Sequence, residues 1–276
     1  MSWHARLDLH YQLRDGKTVA QHQHTGPLRI LQSLYPEGDA VCHNVLVHPP
    51  GGLVGGDTLE IDVRLERGAQ ALVTTPGASR FYRSDGPLAA QRTRLELADD
   101  ARLQWLPLEA IAFSACNAEN HTTLRLAPGA EAMGWDITAL GLPLAQQAYD
   151  AGRLTQHLEL EGAWLERGVL DATDTQLMDG PAGLAGQRCM ATFWFACGSP
   201  LTRSRREAAL ESARAMMVAH ALATSSGATS PHPQVVVVRV LAPVVEPAMD
   251  LLKAIRLQWL QTLWHQTPTQ PRIWAM

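Results

Sequence analysis

Lysine is nearly missing from this chain. Only Lys17 and Lys253 stand among the 23 basic residues, against 27 acidic ones. A net charge of −4 and a pI near 6.2 leave no basic surplus, which excludes general electrostatic binding to nucleic acid. Cysteine is scarce too: Cys42, Cys116, Cys189 and Cys197 form no C-x-x-C pair, and their spacing excludes a zinc knuckle. No apolar stretch follows the polar start Met1-Ser2-Trp3-His4, as a secretion signal requires. No run of about 18 apolar residues occurs either; the best, from Val235 to Val245, is broken by Arg239 and Pro243. The expectation is a soluble, cytoplasmic protein whose cysteines are thiols. Charged residues are sparse at 18%, but 46% of the 276 residues are hydrophobic, which excludes wholesale disorder. That length buries a substantial core without disulfides or a structural metal.

From residue 1 to about 198 the pattern is of period two, punctuated by Gly and Pro. Leu59, Ile61 and Val63 alternate with Glu60 and Asp62, as in half-buried strands. A weak repeat runs through this region. Leu65 to Leu72, Leu97 to Leu103 and Leu126 to Met133 share a Leu–turn–Ala pattern, and a degraded copy sits at Leu160 to Leu165. Their alanines, Ala69, Ala101, Ala130 and Ala163, lie 32, 29 and 33 residues apart. A period near 30 fits stacked β units of a solenoid; hairpins of a β-sandwich share the same turn chemistry. After Cys197 the character changes. Pro200 to Thr224 reads as a helix with Leu210, Ala213, Met217 and Ala221 on one stripe. Ser225 to Pro233 reads as a polar connection, and Gln234 to Leu241 as a fully buried strand. Pro247 to Gln266 reads as a second helix, ended by Pro268 and Pro271. The expected fold is mainly β over residues 1–198, a β-helix-like or solenoid-like body. Two helices and a buried strand follow over 199–276, within a single domain.

The densest segment runs from His43 through His48-Pro49-Pro50-Gly51-Gly52-Leu53-Val54-Gly55-Gly56-Asp57. Its glycines do not have phosphate-loop spacing, no lysine follows, and the next element alternates as a strand rather than opening a helix. A tight crossover needing positive φ explains them. Cys42, His43, His48 and Asp57 are metal-ligand types, but Cys42 and His43 point to opposite strand faces. Cys42 and His48 lie about 20 Å apart at ~3.3 Å per residue. Glu60 and Asp62 share a strand face, and Asp57 sits at the entry to the same strand, so these three are the candidates to line a polar channel or bind a borderline cation transiently. Gln21-His22-Gln23-His24 reads as an exposed strand face. No G-x-S-x-G occurs, because Arg80 follows Gly77-Ala78-Ser79. Surface candidates point to partners. Arg80-Phe81-Tyr82-Arg83 has a binding-surface composition in which one aromatic must face inward. The second helix carries one stripe of Leu252, Ile255, Trp259 and Leu263 and another of Leu257, Leu260 and Trp264. One faces the β body; the other packs on the first helix or on a different protein. The partner-binding candidates are Arg80, Tyr82, Leu257, Trp259 and Trp264. A second functional class remains, a β-solenoid acting on polysaccharide with Glu60 and Asp62 as paired carboxylates.

The run from His48 to Asp57, followed by Thr74-Thr75-Pro76-Gly77-Ala78-Ser79-Arg80-Phe81-Tyr82-Arg83-Ser84, resembles the UreD (UreH) family of urease accessory proteins. Gly26-Pro27-Leu28, Tyr35-Pro36-Glu37-Gly38, Trp105-Leu106-Pro107, Gly134-Trp135-Asp136 and Pro271-Arg272-Ile273-Trp274 extend the likeness in order along the chain. Leu108 and the stretch Phe113-Ser114-Ala115-Cys116 depart from the family's pattern. The resemblance implies a β-helix-like body with two helices and a non-catalytic role. It implies binding to apo-urease, recruitment of a UreF-like protein and, through it, of a UreG-like GTPase. It further implies help in inserting nickel, with no tightly bound cofactor and with nickel in transit through the β body.

Overall fold

The computed structural model describes residues 2–267 and 269–275. Its strands are β1 (His4–Arg14), β2 (Lys17–Thr25), β3 (Arg29–Ile30), β4 (Val41–Val47), β5 (Thr58–Leu65), β6 (Gln70–Thr74), β7 (Ser79–Phe81), β8 (Ala89–Leu97) and β9 (Arg102–Leu106). They continue as β10 (Ala110–Ala112), β11 (Cys116–Leu126), β12 (Glu131–Leu140), β13 (Gly152–Leu160), β14 (Trp164–Asp171), β15 (Cys189–Cys197), β16 (Ser226–His232) and β17 (Val235–Ala242). The α-helices are α1 (Thr175–Asp179), α2 (Arg203–Val218) and α3 (Val245–Trp264).

From β4 onward the chain winds alternately through two sheets. Strands β5, β8, β11 and β13 lie parallel in a seven-stranded sheet, β14-β13-β11-β8-β5-β1-β2. Strands β4, β6, β9 and β12 lie parallel in a larger one. This is a β-solenoid of about four turns. A short third ladder, β7–β10–β12, closes one side. Antiparallel strands β15, β17 and β16 extend the larger sheet.

The repeat spacings of 32 and 29 residues are the lengths of successive coils, since Gln70 lies opposite Arg102 and Arg102 opposite Glu131. Each corner turns on a residue in the left-handed region: Gly68 at φ +71°, Asp100 at +59°, Gly129 at +77°. Glycine adopts that region without steric cost, and Asp tolerates it better than most residues. The corner alanines are fully buried, and each carbonyl accepts from the next layer. Arg102 N donates to Ala69 O at 2.9 Å, Glu131 N to Ala101 O at 3.0 Å, and Gly198 N to Ala130 O at 2.8 Å. The fourth copy is different. Its Gly162-Ala163 turn joins β13 to β14, an antiparallel hairpin within one sheet, so it does not start another coil.

Two cores result from the alternation of side chains. Leu59, Ile61, Val63 and Leu65 point into the solenoid with Leu103, Trp105 and Trp194. On the other face of the larger sheet, Leu72, Met133, Trp135, Phe193 and Phe195 pack beneath α2 and α3. Strands buried on both faces read as near-continuous apolar runs, which is why Val235 to Val238 are all inaccessible.

The helical region needs three corrections. Helix α2 is shorter than the expected Pro200–Thr224; Thr202 starts it by accepting from Arg205 N at 3.3 Å, and Ala221 is exposed beyond its end. The expected polar connection is an edge strand, β16, because Thr229 and its neighbours find ladder partners on β17. The five-residue α1, capped by Asp174, has too few residues to show a period. Helix α3 falls where expected; Pro268, one of its anticipated terminators, lies outside the described residues.

Candidate functional site

The glycine-rich loop is a close-packed crossover. Gly51 and Gly56 have φ of +73° and +94°, and a Cβ on Gly52 would lie 2.3 Å from the Tyr82 ring. Asp57 is 1% exposed and ties this loop together: its carboxylate accepts from Trp3 N at 3.2 Å and Val54 N at 3.0 Å. Glu60 and Asp62 point the other way, onto the charged outer face of the seven-stranded sheet. Glu60 pairs with His4 at 3.1 Å and Asp62 with Arg6 at 3.1 Å. Asp57 is therefore separated from the other two by the sheet, and the three do not line one channel. The carboxylates of the polysaccharide-cleaving alternative, Glu60 and Asp62, are thus both held in ion pairs on the sheet's outer face.

Cys42 and His43 do face opposite ways. Cys42 lies inside, against Asn44 at 3.5 Å, while His43 sits under the helical flank, 3.6 Å from Glu37. All four cysteines are free and buried. Among the described residues no three His, Cys, Asp or Glu side chains are grouped to hold a metal ion.

Of the partner candidates, Tyr82 and Leu257 reach the surface, at 36% and 38% exposure. Phe81 is the inward aromatic. Trp259 and Trp264 are core residues: the Trp259 indole stacks on Phe193 and donates to Ala209 O at 2.9 Å, and Trp264 donates to Glu131 at 2.6 Å. Apart from Leu257, both stripes of α3 are thus absorbed by the sheet and α2, because Ala209 and Ala213 let the two helices approach closely. Arg80 is half-buried and lines a cavity.

The solenoid interior holds a file of polar side chains. Gln91, Asn120 and Gln156 lie directly opposite one another on β8, β11 and β13; Thr93 and Thr122 form the next rung. Facing them from β12 is Asp136. It accepts from Asn120 Nδ2 at 2.6 Å, Gln156 Nε2 at 2.9 Å and Thr138 Oγ1 at 3.2 Å. Enclosure by protein pushes its pKa up to about 6, against the Thr138 hydrogen bond and with a smaller contribution from the Glu166 charge. Asp136 keeps some accessible surface because cavities adjoin it.

Three such cavities lie in series. The first, about 220 Å³, is lined by His48, Ser79, Arg80, Gln91 and Trp105. A constriction of about 30 Å³ shares Ser79, Gln91 and Trp105 with it and adds Asn120 and Asp136. The third, about 240 Å³, shares Asp136 and adds Gln156, Glu166 and Thr192. Three polar atoms of the solenoid interior, His48 Nε2, Thr93 Oγ1 and Asn120 Oδ1, have no hydrogen-bond partner among the described residues. Sequence reading missed this file. Its signal is present, in polar residues at the inward positions of Ala118-Asn120-Thr122-Leu124, but period two alone does not say which face is inside.

The architecture is that of a β-solenoid with a polar interior and a helical flank. The chain belongs to the UreD urease accessory protein family, whose model matches residues 4–275. It is similar to the urease accessory protein UreD of Paracidovorax citrulli, 63% identical over 276 residues with both chains fully covered. It is 61% identical to that of Albidiferax ferrireducens, again over the full length of both. It is 46% identical to that of Methylibium petroleiphilum, covering 99% of each. Its role is therefore in urease maturation. Among the described residues no helix is long and apolar enough to cross a membrane.

Proposed function

We propose that this chain is a non-catalytic, cytoplasmic scaffold of urease maturation. It binds apo-urease, engages a UreF-like protein and, through it, a UreG-like GTPase, while nickel passes along the solenoid interior as cargo. The observation carrying the transit reading is the polar file at Asp136. Nickel is a borderline cation that accepts oxygen and imidazole ligands. Carboxylate, amide and hydroxyl groups that do not close a cage offer exchangeable, incomplete ligation; a Cys/His cage would bind too tightly to release the ion. Asp57, Glu60 and Asp62 have no part in this path, since Asp57 is committed to the loop and the other two to outward ion pairs.

Co-expression with urease and its other accessory proteins tests both halves. Asp136→Asn should co-purify with urease and the UreF-like protein as the natural chain does, while the nickel content of the urease falls several-fold. Unchanged nickel content overturns the transit reading. Failure of the natural chain to co-purify with either protein overturns the scaffold.

A further inference from the structure

The first cavity, near His48, has a chemistry that cation transit does not explain. Five polar side chains line it: Arg80, His48, Ser79, Gln91 and Thr75, whose hydroxyl is already engaged, donating to Gly77 O and accepting from Leu108 N. Arg80 Nη1 makes one long contact, 3.5 Å to Gly51 O, and among the described residues no carboxylate lies within ion-pair distance of its guanidinium. His48 Nε2 is inaccessible and unpartnered. The Ser79 hydroxyl and the Gln91 amide likewise make no hydrogen bond to the described residues. Asp57, whose charge acts on His48, already accepts from Trp3 N and Val54 N. Leu59, Ile61, Trp105 and Pro107 supply apolar walls.

An unpaired guanidinium against apolar walls is half of an ion pair. Its planar fork matches two coplanar oxygens. Burial holds His48 toward its neutral form. The site thus offers one positive charge and three neutral hydrogen-bonding groups. A tetrahedral dianion would bring a second negative charge with nothing to balance it, and its desolvation would oppose binding. We propose that this cavity binds a small planar oxyanion of single charge, a carboxylate or bicarbonate, in the fork of Arg80 with Ser79, Gln91 and His48 around it. The proposal stands on this cavity's geometry and holds whether or not nickel passes through the interior.

The test is a titration of the isotopically labelled full chain, followed by NMR, with acetate, bicarbonate and sulfate at constant ionic strength. Acetate or bicarbonate should give saturable shifts at Ser79, the Arg80 side-chain N–H and the Gln91 amide. Sulfate should bind about ten-fold more weakly or worse. Arg80→Gln should weaken the planar anions by about ten-fold or more, the scale of a lost charge-assisted hydrogen bond. Gln91→Leu, which keeps the charge, should weaken them less. Tighter binding of bicarbonate points to dissolved carbonate as the source, tighter binding of acetate to an organic acid. Non-saturating shifts, equal binding of sulfate, or undiminished binding by a folded Arg80→Gln chain overturns the proposal.

Discussion

At the scale of single residues, neighbours on one strand have opposite fates. Leu59 and Ile61 are buried while Glu60 and Asp62 are paired outside, as the alternation requires. What the alternation does not reveal is the partner across the sheet, and that partner decides whether a carboxylate is free to act. Arg6 and His4 lie more than 50 positions from the acids they meet. The same gap misplaces Trp259. Its helical stripe is legible, but the facing groove of Ala209 and Ala213 belongs to another helix. Trp259→Ala should therefore lower unfolding stability by about 3–5 kcal/mol, read by urea denaturation. If stability is unchanged and only partner binding suffers, the residue is no core anchor.

At the scale of elements, the corners explain why the solenoid could be read at all. Each coil repeats a strand, a positive-φ turn and an inward alanine, so three coils leave three comparable traces. The hairpin β13–β14 uses the same turn chemistry in another topology, and local sequence does not separate the two. Edge strand β16 was illegible because Gly, Ser and Pro populate edges and loops alike. Strand β12 is fitted between β9 and β15 with little tolerance. A Cβ on Gly134 would lie 2.4 Å from the Trp194 ring and 2.6 Å from the Trp105 carbonyl oxygen. Gly134→Ala should lower the midpoint of thermal unfolding, with a cost of about 1–3 kcal/mol from overpacking. An unshifted midpoint would show that the three neighbouring strands have slack there.

At the scale of the whole molecule, the buried acid couples folding to pH. The Asp136 pKa is raised to about 6 in the folded chain, above the ~3.9 of an unfolded aspartate. Between those values the folded state holds a proton that the unfolded state has released. Its contribution is thus fully present below pH ~4, and stability falls as pH rises toward 6, by up to about 3 kcal/mol. Urea titrations of the natural chain and of Asp136→Asn should differ by that slope, the variant lacking it. Parallel slopes would mean that Asp136 is as well solvated folded as unfolded.

Strand β12 also belongs to both halves of the protein at once. Trp135 turns outward against Phe193 and Trp274, and its indole donates to Pro107 O; Asp136, one peptide bond along, turns inward to Asn120 and Gln156. A rigid strand gripped on both sides transmits displacement without absorbing it. Whatever leans on the helices also leans, through a single backbone unit, on the narrowest part of the hollow behind them.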